Sequence, residues 1–287
     1  MAQPANTFSR YTQIGSRESL QDIINDVSRA ETPFYSMVKK SEMEVRNTFH
    51  EWQTDVLAVS NKDNAIIEGD TFSAQVTSPT TRVGNYTQIF EKPFILSRTA
   101  MRMSTAGRKN ELNYQVIKKG KEIKRDFEAA ALSQNAAVAG NNTTARKMAG
   151  METWIATNAN HGVGGSTTVI AAGAPTTAPV DGTARAFTET ILKAVLAVAW
   201  PNGADTKTLF LGPGQKQVFS TFPGIAQTRF DLRGEDQSTI IGAADKYVGD
   251  FGSFYTIPSI QIRNRTALGI DPDMVEVKHL DPMDKEQ

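Results

Sequence analysis

Cysteine is absent from this chain of 287 residues. Its absence excludes disulfide bonds, thiolate nucleophiles, and zinc or iron–sulfur centres held by cysteine. Lys plus Arg and Asp plus Glu both total 31, so no excess of one charge indicates a general affinity for nucleic acid or for an anionic membrane. No apolar run reaches the roughly 18 residues of a membrane-spanning helix, and the first residues lack the pattern of a secretory signal. We therefore expect a soluble, cytoplasmic chain with no membrane partner.

The longest helical pattern runs from Ala106 to Asn135. Its apolar residues recur at steps that place them on one stripe of a helix with 3.6 residues per turn; they are Leu112, Val116, Ile123, Phe127 and Ala130. Lys118, Lys121 and Arg125 fall on the opposite side, and Arg108 lies just upstream. Because the segment contains no set of catalytic residues, we interpret it as a spine helix on which other layers pack.

The segments before this helix contain little that could form a core of their own. Residues 1–33 are predicted to form an arm that ends at Thr32-Pro33. From His50 to Lys92 the chain is predicted to be extended, with alternating patterns at residues 72–76 and 86–90 that indicate a long hairpin. Two strands are marginally stable in water, so this hairpin is expected to be stabilised by a neighbour.

The second half of the chain predicts a compact mixed domain. Residues 136–182 are rich in Gly, Ala, Asn and Thr and are interpreted as a loop zone. Helical patterns follow at Phe187–Trp200 and Gln215–Phe222, around a buried strand at Thr208–Leu211 and a predicted GPGQ turn. Further strands are predicted at Ser238–Ile241, Lys246–Val248, Ser253–Ile257, Ser259–Arg263 and Met274–Leu280.

No motif in the sequence combines the residues that catalysis would need. The histidines at 50, 161 and 279 are far apart and have no partner at metal-ligand spacing. The GVGGST segment at 162–167 lacks the Gly-Lys-Ser/Thr end of a phosphate-binding loop. Asp250-Phe251-Gly252 matches a kinase triplet but has no accompanying His-Arg-Asp, and it is interpreted as a turn. We therefore expect no enzyme activity, no catalytic residue, no metal and no cofactor.

The basic side of the spine helix has two interpretations. It is either a solvated face with helix pairs such as Lys118 with Glu122 and Lys124 with Glu128, or a rigid contact surface. A contact surface would bind phosphates, or the acidic tip Glu68-Gly69-Asp70 of a neighbouring subunit's hairpin. The residues expected to face another subunit or DNA are Glu68, Asp70, Arg82, Arg108, Lys118, Lys121 and Arg125.

In its order of parts the chain resembles the major capsid proteins of tailed bacteriophages with the Hong Kong 97-type fold. The resemblance rests on the sequence blocks NTFHEWQTDVLA (47–58), NAIIEGD (64–70), PTTRVGNYTQI (79–89), the spine segment, and TARKMAGMETWI (144–155). It implies an α+β fold with an N-terminal arm at 1–33, a peripheral domain at 34–49 and 99–186, and an extended loop at 50–98. An axial domain would span 187–270, and residues 271–287 would return to the peripheral domain.

This resemblance implies a shell protein whose copies form hexamers and pentamers of an icosahedral head enclosing double-stranded DNA. Portal and scaffolding proteins would be partners, a decoration protein would be a further one, and assembly would take place in the host cytoplasm. Some relatives carry a helical scaffolding segment before the arm, and this sequence lacks one, so a separate scaffold or a removed segment is expected. Lys62 lies in the loop that some relatives cross-link, but position alone predicts no cross-link. The alternatives are an encapsulin-like nanocompartment that encloses a cargo enzyme, and a nucleotide-handling enzyme using GVGGST.

Overall fold

The computed structural model describes residues 28–41, 45–71, 76–105, 107, 110–171, 173–222 and 245–282. Helices and strands are mixed along the chain, in agreement with the predicted α+β class. Arg108, the predicted strand Ser238–Ile241 and most of the predicted arm lie outside the described residues.

The helices are α1 (Pro33–Met37), α2 (Arg98–Arg102), α3 (Glu111–Ala131), α4 (Met151–Trp154), α5 (Glu189–Ala199) and α6 (Pro213–Phe219), with short 3-10 helices at Trp200–Asn202 and Pro272–Met274. The strands are β1 (Lys39–Lys40), β2 (Phe49–Thr54), β3 (Thr81–Tyr86), β4 (Ile170–Ala171), β5 (Ala174–Pro175), β6 (Thr208–Leu211), β7 (Lys246–Gly249), β8 (Gly252–Pro258), β9 (Ala267–Ile270) and β10 (Glu276–Val277).

The predicted spine helix is confirmed as α3, with tighter bounds than the predicted span. It begins after Asn110, whose side chain accepts a hydrogen bond from the backbone N–H of Asn113 and so caps the first turn. The predicted apolar stripe lies on the half-buried side of the helix, and burial is complete at its C-terminal end, where Leu132 is fully enclosed. The helix is therefore held mainly by its last turns.

A four-stranded sheet in the order β7-β8-β6-β9 forms the centre of the described structure. Strand β6 runs parallel to β8 and antiparallel to β9, and all four of its residues are buried. On one face, Phe210 packs in a cluster with Phe34, Leu132 and Leu268. On the other face, Leu209 and Leu211 join a second cluster. The sheet therefore lies between α1 and α3 on one side and α5 and α6 on the other.

The N-terminal and C-terminal parts of the described chain meet at a short parallel pair. Strand β1 pairs with β10, with Lys39 opposite Glu276 and Lys40 opposite Val277. The predicted strand Met274–Leu280 is thus only partly confirmed, because Met274 belongs to a 3-10 helix and the strand covers two residues. The pairing returns the end of the chain to the layer that contains the spine helix.

Several predicted elements differ from the structure. The GPGQ segment is not a turn, because Pro213 begins α6 and its fixed φ suits the first position of a helix. Residues 259–263 form no strand, and β9 was not predicted. The triplet at Asp250 is confirmed as a turn, since residues 250–251 connect β7 to β8 between the paired Gly249 and Gly252.

Candidate assembly surfaces

The extended hairpin has a stem formed by β2 and β3. These strands pair antiparallel from Phe49 opposite Tyr86 to Thr54 opposite Thr81. The predicted strand at 86–90 is wrong, because β3 ends at Tyr86. Of the predicted strand at 72–76, Val76 lies in no strand and residues 72–75 fall outside the described part. The strands that pair flank a long connection, residues 55–80.

The stem lies against residues 136–182 of its own chain, the segment interpreted from sequence as a loop and called here the Gly-rich zone. The rings of Phe49 and Tyr86 lie with their centroids 4.6 Å apart and their planes tilted by 42°, and both pack on the buried Ala137, Ala149 and Ala174. The backbone N–H of Gly84 donates to the carbonyl of Gly173 at 2.7 Å. A Cβ at position 84 would lie 2.6 Å from the backbone oxygen of His50, so only glycine allows this close approach. The zone interpreted from sequence as a loop or linker is thus the support of the hairpin.

Polar side chains fix the stem in this position. The Asn85 side chain accepts from the backbone N–H of Ala149 at 2.9 Å and donates to the carbonyl of the same residue at 3.3 Å. Arg146 donates to the carbonyl of Thr87 at 2.7 Å, and the N–H of Met148 donates to the Gln88 side chain at 3.2 Å. No sequence motif predicted these contacts, which join residues about sixty positions apart.

We expect Asn85→Ala to loosen the stem and to lower the free energy of unfolding by about 1–3 kcal/mol, because it leaves the N–H of the buried Ala149 without its partner. Denaturant unfolding followed by tryptophan fluorescence measures this loss. The ring centroids of Trp52 on β2 and Trp154 on α4 are 5.3 Å apart, so separation of the stem changes the surroundings of both tryptophans. Thr80→Ala, at the exposed end of the same hairpin, is the matched control and should cost less than about 0.5 kcal/mol. Equal losses for both variants would contradict the assigned role of Asn85.

Beyond the stem, the tip of the hairpin is defined as residues 55–80. Its described part makes few contacts with the rest of the chain, and its large apolar side chains are exposed by 79% or more: Val56, Leu57, Val59, Ile66, Ile67 and Val76. Glu68 and Asp70, predicted as an acidic hairpin tip, flank Gly69, which has a positive φ of 86° and forms an acidic turn. Between residues 55 and 71 there are four acidic residues and one lysine, and that Lys62 pairs with Asp63 at 2.8 Å.

Arg82 does not lie in the tip. It belongs to β3, and its guanidinium pairs with Glu51 on the neighbouring strand β2. This cross-strand ion pair accounts for the arginine within the subunit. Arg82 therefore contributes to the stem, and a contact with another subunit would have to compete with Glu51.

The spine helix presents its basic residues as predicted, but the predicted ion pairs are wrong. Lys118 and Lys121 are exposed, and Arg125 is half-buried. Glu122 pairs with Lys119 at 2.7 Å rather than with Lys118. Glu128 forms no surface pair with Lys124, because it is completely buried beneath α1.

Neither of the other sequence motifs forms a reactive arrangement. Gly162 and Gly164 both have a φ of about 80°, but the GVGGST segment leads into an isolated bridge between Ser166 and Val180 rather than into a helix. Within the described ranges, no group of three or more His, Asp or Glu side chains is placed to hold a metal ion. None of the described helices combines the length and the apolar content that crossing a bilayer requires.

Comparison with known proteins places the chain in a family. The model of the SU10 major capsid protein family matches residues 3–287. The chain is also similar to the major capsid protein of Escherichia phage Phieco32, with 41% identity over 136 residues. That match covers 47% of this chain and 38% of the Phieco32 protein, so it spans less than half of each. Because the family model extends over almost the whole sequence, the chain belongs to the SU10 major capsid protein family.

Proposed function

We propose that this chain is a structural subunit of a phage head, whose copies form hexamers and pentamers of an icosahedral shell around double-stranded DNA. The observation that carries the proposal is the tip, a segment with six large apolar side chains that its own chain does not cover. Burying such a side chain contributes about 1.5–3 kcal/mol. A tip of this kind gains stability only when a second copy covers it.

The chain itself offers a complementary surface for the tip. Ile95, Met101 and Met103 are exposed on or beside α2, a helix that contacts α3. The exposed Arg98 and Arg102 lie in the same helix α2 and match the acidic character of the tip. We propose that the tip of one subunit lies on this surface of the next, with an interface of the obligate class, roughly 2,000 Å² or more in total.

We also propose how the chain divides into the domains of such a subunit. The four-stranded sheet with α5 and α6 would be the axial domain at 187–270, and α3 with β1 and β10 would belong to the peripheral domain of a Hong Kong 97-type fold. Family membership and the connection of β10 to the spine layer support this assignment. Portal, scaffolding and decoration proteins would be partners of the assembled shell, which would form in the host cytoplasm and persist in the virion.

Electron microscopy with light scattering on the purified chain, expressed with and without its neighbouring phage genes, tests the proposal. We expect closed shells or rings of capsomers. A stable monomer or dimer in both preparations would contradict it. A shell that encloses a cargo protein instead of DNA would favour the nanocompartment alternative.

A further inference from the structure

The exposed side of α3 carries lysines that no acidic side chain neutralises at ion-pair distance. Lys118, Lys121 and Lys124 are exposed, and in the described part of the chain none of them forms a salt bridge. The acids of the same stretch are engaged elsewhere: Glu122 with Lys119, Asp126 with Lys92, and Glu128 in the core. This side of the helix therefore carries positive charge that is not compensated by ion pairs, because the neighbouring acidic side chains contact other groups.

A fourth lysine extends this group beyond the helix. Lys40 of β1 lies with its ammonium 4.6 Å from the centre of the Tyr35 ring, and the ammonium of Lys124 lies 5.9 Å from the same centre. One ring thus holds two like charges, and each cation–π contact contributes only about 0.5–1 kcal/mol at an exposed site. An anion bound beside the ring would offset the repulsion between them. We define Lys40, Lys118, Lys121 and Lys124 as the lysine strip.

We propose that the lysine strip binds the phosphate backbone of the packaged duplex without reading its sequence; this rests on the proposed function. Lys118 and Lys124 are separated by about 9 Å along the helix axis. One DNA strand rises about 3.4 Å per phosphate along the duplex axis, so a strip laid along that axis spans two to three phosphates. Lysine suits such contacts, because its ammonium is a point charge on a flexible stem that tolerates different backbone positions.

The chemistry of the strip favours DNA over the acidic tip of another subunit. The tip presents six large apolar side chains and needs an apolar partner surface, which the residues around α2 offer. The strip has only Ile117 beside it as a large exposed apolar residue of α3. A set of charges with little apolar area fits a polyanion, whose affinity comes from counterion release rather than from burial.

The test measures binding of the purified, unassembled chain to random-sequence duplex DNA as a function of salt concentration. The strip variant is K118Q/K121Q/K124Q. The matched control is K62Q/K193Q/K207Q, which removes the same charge from lysines away from α3 that pair with Asp63, Glu189 and Asp273. Each phosphate contact contributes about 0.9 to the slope of log affinity against log salt. We expect the strip variant to lose up to about 2.7 from this slope and the control to keep the wild-type value.

Two results would overturn the proposal. Equal slopes for the strip variant and the control would show that only overall charge matters. A strip variant that binds DNA as the wild type does but no longer closes shells would assign the strip to a contact between subunits. Because binding is measured on unassembled chains, a wild type that forms no shells would count against the proposed function alone.

Discussion

A chain that lacks residues 61–78 is expected to fold and to form no closed particle. The deletion removes the acidic turn and three of the six exposed apolar side chains of the tip, Ile66, Ile67 and Val76, but leaves the paired stem and its anchors on Ala149 and Gly173 in place. Because the described part of the deleted segment buries almost nothing within its own subunit, its loss should change the free energy of unfolding little. Circular dichroism with thermal unfolding measures folding, and electron microscopy with light scattering measures assembly.

A milder variant separates the role of the apolar side chains from that of loop length. Ile66→Ser with Ile67→Ser keeps the loop intact and is expected to abolish or strongly weaken shell closure. Val163→Ser with Val169→Ser is the matched control, since these valines are also exposed but lie in the Gly-rich zone outside the tip. Closed shells from the deletion variant would contradict the role assigned to the tip. Equal defects from the serine pairs would show that general surface hydrophobicity is responsible.

Glu128→Ala is expected to be the most destabilising single change on the spine helix. The Glu128 side chain accepts a hydrogen bond from the backbone N–H of Tyr35 at 3.3 Å and another from the Ser259 hydroxyl at 3.3 Å, and the residue is fully buried. It thereby joins α3 to α1 and to the segment after β8. The alanine leaves buried donors without an acceptor and creates a void, at a cost of about 2 kcal/mol or more. Denaturant unfolding of the subunit measures this loss.

Glu128→Gln should instead change the pH dependence of stability. Burial raises the pKa of the Glu128 carboxyl, and the hydrogen bonds from Tyr35, Ser259 and Phe34 oppose this only in part. In the unfolded chain the carboxyl ionises at its ordinary pKa, whereas in the folded chain it keeps its proton to a higher pH. Its contribution to stability is therefore complete below the ordinary pKa and is lost as the pH rises through the raised value.

The glutamine side chain does not titrate, so it lacks this dependence. Its carbonyl oxygen can accept from Tyr35, and its amide can donate to the Ser259 oxygen. The free energy of unfolding of E128Q relative to the wild type should therefore increase as the pH rises from about 4 to about 7. A difference that stays constant, or that falls with pH, would contradict a buried carboxyl with a raised pKa. Glu122→Gln is a control on the same helix: the hydrogen bond from Lys119 lowers the pKa of the half-buried Glu122 carboxyl, so the sign should be reversed.

Elements governed by local chemistry could be predicted from the sequence. The spine helix follows from the spacing of its apolar stripe and is capped by Asn110 immediately before its first turn. The strand at Thr208–Leu211 follows from a short apolar run, and the turn at 250–251 from glycines on both sides. The sequence predicted Glu68-Gly69-Asp70 as an acidic hairpin tip, and in the structure Gly69 adopts a positive φ in an exposed turn at that place.

The hairpin register could not be predicted, because it depends on contacts that are distant in sequence. The alternation around Val76 looks like a strand, yet Val76 is 99% exposed, and the strands that pair are the ones that the Gly-rich zone supports through Asn85, Gly84 and Phe49. A two-stranded ribbon has a weak preference for its own register, so the neighbouring layer decides it.

The sequence alone determined that the chain has a long amphipathic helix, a compact strand-and-helix half, no cysteine chemistry and an extended segment that cannot form a core of its own. Only the tertiary structure decided which charges are free. Helical spacing predicts Glu128 as a surface partner of Lys124. In the structure its carboxyl group is enclosed instead by Tyr35 of α1 and by Ser259, which are 93 and 131 residues away from Glu128 in the sequence. The energy of a charged group depends on its distance from water and from other charges, and those distances are set by the packing of segments that are remote in the sequence.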